Sequence, residues 1–299
     1  MDIRLNTLAA HLVLIVISIS AHAEPADEDG WSYDGNEPSS FGSNGDSSSG
    51  GTIYINSTMP TKEFNARIRG TLRFPSDKGV YPAIVVLPGC GGVRGYEETH
   101  VSHFRDKGYA TFVLDSFTAR DGNVCRNQAV MGLARSYRVY DAYHALQEHA
   151  KHPRIDAKNI SALGYSHGGH FTMNVAGGHP VFSDKHLNQS VTFASAVSLY
   201  SECSDYPLKL KTPWLFLGGA KDTAVPPDFC MAWYRNGMWE GQADYQAHVY
   251  PNGLHGFIRA GEHKEMTLYT GKTLVMGGTY AQRDDANRCI LAFLGKHRR

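Results

Sequence analysis

Residues 164–168 read Gly-Tyr-Ser-His-Gly. A serine hydroxyl is a weak nucleophile at neutral pH and needs a base to take its proton and an acid to orient that base. Glycines at 164 and 168 permit the sharp strand-to-helix turn that lifts such a serine above its surroundings. The same residues also suit a glycine-rich turn without chemistry, so partners elsewhere must decide. They occur later in the chain, acid before base. Asp222 lies in FLGGAKDTAVPP and His255 in the loop YPNGLHGF, each just past an apolar run. Ser166, Asp222 and His255 therefore fall at three strand ends, an arrangement suited to acyl transfer through a serine nucleophile. The rivals fit less well. Asp228 follows two prolines and suits a helix cap, His248 sits inside an alternating strand, and His263 lies in a polar segment.

Acyl transfer also needs donors for a developing oxyanion. The backbone amide of His167, next after the serine, is one candidate. LPGCGGVRGY offers the second at Cys90, among glycines that let backbone approach a substrate. Of the other charged groups, Asp115 ends a strand and is expected to hold the 116–126 loop. Arg120 and Arg126 in that loop are either solvated or placed to meet an anionic substrate. Arg138 and Asp141 read as a surface or helix-anchoring pair. His100 and His103 have no third ligand in register, and no cysteine or histidine cluster has zinc spacing, so neither metal nor cofactor is expected.

The elements that must position these groups alternate. TIYIN and FNARIRGTLRFP change from apolar to polar with period two, as two antiparallel strands do. Continuous apolar strands follow at 83–87, 110–115, 159–165, 193–200, 213–219 and 245–251. Helical segments separate most of them: YEETHVSHFRDKG, residues 128–149, HGGHFTMNVAGG, DFCMAWYRNGM and a terminal ANRCILAFLGKH. Apolar strands alternating with helices predict an α/β domain over 52–299, with a mostly parallel central sheet covered on both faces and N-terminal antiparallel strands. Right-handed crossovers then put every parallel strand's carboxyl end on one edge, where ligands bind.

Lysine plus arginine equal aspartate plus glutamate at 29 each, so no basic field points to nucleic acid. Residues 1–23 carry Arg4, an apolar run from Leu12 to Ile19, and Ala21-His22-Ala23. That is the order of a secretory signal peptide cut after Ala23, which predicts a periplasmic or secreted protein with no stable membrane anchor. Residues 24–51 lack Lys and Arg and are rich in Gly, Ser, Asp and Glu, as expected of a disordered acidic leader. In an oxidising compartment, the five cysteines allow at most two bridges within one molecule. Bridges Cys203–Cys230 and Cys90–Cys125 would each join loops beside the site, leaving Cys289 free. Oligomeric state is not specified by any of these patterns.

The set LPGCGGVRGYEETHVSHFRDKGYATFVLDSF, GYSHGG, FLGGAKDTAVPP and LHGF resembles the dienelactone hydrolase family across most of residues 62–297. The resemblance implies an α/β-hydrolase fold, with the order Ser166, Asp222, His255, and no large lid. Two departures stand out. Family members that open dienelactones use a cysteine where Ser166 stands, and a glutamate where Gly89 aligns. The resemblance therefore implies hydrolysis of small or exposed carboxylic esters rather than of dienelactone. A serine peptidase of prolyl-oligopeptidase type and a non-catalytic binding protein on the same scaffold are the competing readings.

Overall fold

The computed structural model describes residues 50–299, except 121–124, 126–127, 178–186, 188–189, 204–208, 238–240, 242, 268–270 and 272. The segments read as signal peptide and acidic leader lie outside the described residues, apart from Gly50 and Gly51. Gly51 already opens the first strand.

The alternating N-terminal segments form β1 (Gly51–Ser57) and β2 (Ala66–Arg73), antiparallel with Ile55 opposite Ile68. Next come β3 (Tyr81–Leu87), α1 (Gly95–Arg105), β4 (Ala110–Asp115), α2 (Gln128–His149), β5 (Ile155–Tyr165) and α3 (His167–Ala176). The chain continues through β6 (Ala196–Leu199), β7 (Trp214–Gly219), α4 (Asp228–Asn236) and β8 (Tyr245–Tyr250), and ends in α5 (Tyr280–Lys296). The main sheet has the order β1-β2-β4-β3-β5-β6-β7-β8. Its strands are parallel from β4 to β8 and antiparallel at the β1–β2–β4 edge. This is the mostly parallel α/β sheet expected from the alternation, in the α/β-hydrolase architecture that the family resemblance implies.

The central strands are apolar throughout because both faces are covered. Ile84 and Val86 pack with Val101, Phe104, Ile290 and Phe293 from α1 and α5. Val85 and Leu87 point the other way, into a layer with Val139, Leu146 and Phe171 from α2 and α3. From β3 the chain moves outward to β4, then returns to β5 on the opposite side of β3. That reversal opens a crevice beyond the carboxyl ends of β3 and β5, the usual ligand position in such sheets.

A second sheet was not expected. It comprises β9 (His255–Ala260), β10 (His263–Thr267) and β11 (Thr273–Gly278), in the order β10-β11-β9. His255 consequently opens a strand, paired in register with Met276, instead of lying in a loop. The terminal helix also begins earlier than the apolar pattern indicated. Thr279 accepts the amide of Gln282 and the Gln282 side chain returns to Thr279, a capping box that fixes the start. Among the described residues, no helix is long and apolar enough to cross a membrane.

Candidate active site

Ser166 occupies the single turn between β5 and α3. Its backbone stands at φ 50° and ψ −119°, a conformation that costs a non-glycine residue about 1–3 kcal/mol. The turn is held by Ser166 N–H donating to Leu199 O (2.9 Å) and by the His170 amide donating to Ser166 O (3.2 Å). The flanking glycines are required by space rather than by φ. A Cβ on Gly164 would lie 2.3 Å from Gly168 O, and one on Gly168 would lie 2.0 Å from Leu87 O and 2.5 Å from Pro88 O. All of these are backbone atoms that cannot yield singly. Gly168→Ala is therefore expected to destabilise by about 3 kcal/mol or more. A melting temperature within a degree of wild type would contradict this account of the motif.

The three residues predicted from separate strand ends meet. His255 Nε2 lies 3.0 Å from Ser166 Oγ, and Nδ1 lies 2.7 Å from Asp222 Oδ2. The other Asp222 oxygen accepts the amides of Ala224 (3.0 Å) and Val225 (2.9 Å). Asp222 and His255 are buried, whereas Ser166 is only half-buried. An aspartate saturated in this way keeps a proton on Nδ1, leaving the Nε2 lone pair for the serine hydroxyl. The arrangement can thus deliver a serine oxygen to an electrophilic carbon and store its proton.

The β3–α1 loop closes over the same point. A Cβ on Gly89 would lie 3.8 Å from Ser166 Cβ and 3.7 Å from Tyr165 O, so this backbone runs against Ser166. Cys90 is bonded to Cys125, which ties the loop to the one following β4. Cys203 and Cys230 form the second bridge, and Cys289 is free and half-buried.

Behind the loop, Glu97 has no accessible surface and accepts the Arg94 amide at 2.8 Å. Burial raises its pKa from 4.5 to about 7, against the opposing pull of the Tyr96 hydroxyl and Arg94. The sign follows from proton binding. Between pH 4.5 and about 7 the folded chain binds more protons at Glu97 than the unfolded chain, so rising pH removes stability across that window. Glu97→Gln keeps an acceptor for Arg94 and has no charge to bury. It should melt higher than wild type above pH 7 and match it near pH 4. Equal melting curves at pH 8 would refute the assignment.

Other groups settle differently from the sequence expectations. Arg138 and Asp141 are both fully buried and are not a pair. Asp141 is held at both oxygens by Arg120 (2.9 and 3.0 Å), whereas Arg138 reaches Pro88 O and His167. Arg120 also donates to Phe64 O and Ser116 O, so its donors serve the scaffold; Arg126 lies outside the described residues. Asp115 does hold its loop, accepting the amides of Phe117 and Thr118. Asp228 is the first helical residue of α4 rather than its cap, which is Pro227. His248 and His263 are exposed. His100 is buried between Tyr165 Oη and Asn287 Oδ1, each at 2.7 Å, and burial lowers its pKa to about 4; His103 packs edge-on against Phe104.

Tyr200 was missed. It ends the apolar run 193–200, has φ 39°, and sets its ring edge-on to His255 at 5.0 Å and to Phe257 at 5.5 Å. Its place at a strand end on the active edge was the available signal.

The model of the dienelactone hydrolase family matches residues 68–297. The chain belongs to the dienelactone hydrolase family. Cutinase 2 of Thermobifida cellulosilytica is 23% identical over 163 residues, covering 52% of this chain and 54% of the cutinase. The chain thus spans about half the length of that relative. A dienelactone hydrolase-like promiscuous phosphotriesterase from metagenomic libraries superposes with a TM-score of 0.61 at 16% identity, over 83% of this chain and 99% of that one. An esterase of the Planctomycetes species Thermogutta terrifontis, solved with propionate bound, gives 0.54 at 14% identity, over 81% and 94%. At these identities the two structures share this family member's fold.

Proposed function

We propose that this dienelactone hydrolase family member is an exported serine esterase acting on small or exposed carboxylic esters. The observation that carries the reading is the hydrogen-bonded series Ser166–His255–Asp222, brought together from just past β5, just past β7 and the first residue of β9. Similarity to a cutinase and to an esterase fold supports ester rather than peptide substrates. The two disulfides support an oxidising compartment, consistent with the N-terminal segment.

In this reading, Ser166 Oγ attacks the ester carbonyl carbon while its proton passes to His255 Nε2. The carbonyl oxygen becomes an oxyanion facing the amides of His167 and Cys90. Collapse breaks the bond to the alcohol oxygen, which leaves with the proton from Nε2. Water then attacks the acyl-serine, gives its proton to Nε2, and the acid departs as Oγ regains a hydrogen. Asp222 stays ionised and stabilises the transient imidazolium. With a serine at position 166 and glycine at 89, dienelactone is not the expected substrate.

The test is a panel of short p-nitrophenyl esters beside peptide anilides, with fluorophosphonate labelling followed by peptide mass mapping. Ester turnover and label on Ser166 are expected. Comparable anilide turnover would move the reading to a peptidase, and failure to label Ser166 in folded protein would move it to a binding module.

A further inference from the structure

The steps above leave the buried guanidinium of Arg138 without a role. It is among the largest side chains with no accessible surface, and burying a guanidinium costs several kcal/mol unless its donors are taken up. The nearest candidate carboxylate, Asp141, is occupied at both oxygens by Arg120. Among the described residues, no carboxylate lies within hydrogen-bond distance of Arg138. Two of its nitrogens donate elsewhere, while the buried Nε has no hydrogen-bond partner. Nη2 donates to Pro88 O at 2.7 Å and Nη1 to His167 Nδ1 at 3.0 Å. The guanidinium lies over the rings of Phe117 (4.7 Å) and Phe171 (5.1 Å), which fix its plane.

The two acceptors belong to different elements. Pro88 begins the loop that carries Cys90, and His167 opens α3 immediately after Ser166. These are the two turns whose amides face the oxyanion in the proposed reaction. The first is intrinsically loose, with glycines at 89, 91 and 92. It is held at one point by the bond from Cys90 to Cys125 and at another by Arg138 on the Pro88 carbonyl. An anion hole works only if its donors are already 2.7–3.1 Å from the oxyanion's position, so the spacing of the two turns must be set beforehand.

We propose that Arg138 is the positioning residue of the oxyanion hole, clamping the Pro88 turn to the start of α3 through one planar guanidinium. The proposal rests on the serine-esterase reading. A guanidinium has only donors, so Nδ1 of His167 must accept, and the ring is the neutral tautomer with its hydrogen on Nε2. The same bond therefore keeps His167 from serving as a base beside Ser166. Lysine cannot reproduce the clamp, because its ammonium is a point charge without the two-pronged geometry.

The experiment compares Arg138→Met and Arg138→Lys with wild type on p-nitrophenyl acetate, together with binding of a trifluoromethyl ketone. That inhibitor adds to Ser166 Oγ and places a tetrahedral oxyanion in the hole. Arg138→Met should lower kcat by about tenfold to a hundredfold with KM changed by less than about threefold, and should weaken the ketone by the same factor as kcat/KM. Arg138→Lys should recover only part of the loss. If Arg138→Met does not fold, His167→Leu decides, since it removes the acceptor and leaves the backbone amide; it should show the same split between kcat and KM. A fall in kcat with undiminished ketone affinity, or unchanged kcat in the variant measured, overturns the proposal. Ser166→Ala separates the two ideas. If that variant keeps wild-type ester turnover, the esterase reading itself fails; if it is inactive while Arg138→Met matches wild type, only the clamp fails.

Discussion

Ser166→Ala is expected to reduce kcat/KM for short p-nitrophenyl esters by at least about 10⁴-fold, leaving a small residue from binding and the oxyanion donors. The loss is large because the variant removes the atom that forms the acyl bond, the Oγ held 3.0 Å from His255 Nε2. The fold should survive. The strained backbone at φ 50° is imposed by the close contact of Gly164 and Gly168 with their neighbours, and alanine meets the same backbone constraint as serine. The melting temperature should accordingly stay at or slightly above the wild-type value, since only one partly exposed hydrogen bond is lost. Turnover within tenfold of wild type, in protein shown free of contaminating esterase, would remove Ser166 from the reaction.

Asp222→Asn should be nearly as damaging, with kcat lowered by about 10⁴-fold, although the side chain hardly changes shape. The structure supplies the reason. One oxygen of Asp222 already accepts two amides, from Ala224 and Val225, so an asparagine must place its carbonyl there. Its NH₂ group then faces His255 Nδ1, where Asp222 Oδ2 accepts at 2.7 Å. A donor at that point requires Nδ1 to be the acceptor and moves the ring hydrogen to Nε2. Nε2 can then no longer take the proton of Ser166. Activity should rise with pH if hydroxide can deprotonate the serine in place of His255, a dependence absent from Ser166→Ala. Retention of more than about a tenth of wild-type kcat at neutral pH would show that the tautomer is not controlled by residue 222.

Much of the architecture was legible before any coordinates. The run 110–115 is β4 residue for residue and 128–149 is α2, because continuous apolar strands and a long helical pattern are local signals. The turn at Ser166 was legible too, since spacing glycines around a serine between strand and helix is a short-range requirement. The bridges formed, Cys90–Cys125 and Cys203–Cys230, are the pairings preferred from the loops expected to lie side by side, although sequence alone does not fix connectivity. The three-stranded sheet was not legible. HKEMT is mostly exposed, with side chains of both kinds, and its partner β11 pairs directly with β9, from which β10 separates it only in sequence. Nothing in five such residues favours a strand until the partner is present.

The amino-acid sequence by itself determined that the sheet is mostly parallel and that Ser166, Asp222 and His255 come together at it. Those facts depend on periodicity, turn chemistry and the handedness of crossovers, all of which act over a few tens of residues. Only the tertiary structure decided where the buried charges go. Arg138 and Asp141 stand one turn apart on α2, yet Asp141 is bound by Arg120 and Arg138 by a loop and a helix start far away in the chain. A buried ion needs partners for its charge, and those partners are chosen by packing in three dimensions rather than by neighbours in sequence.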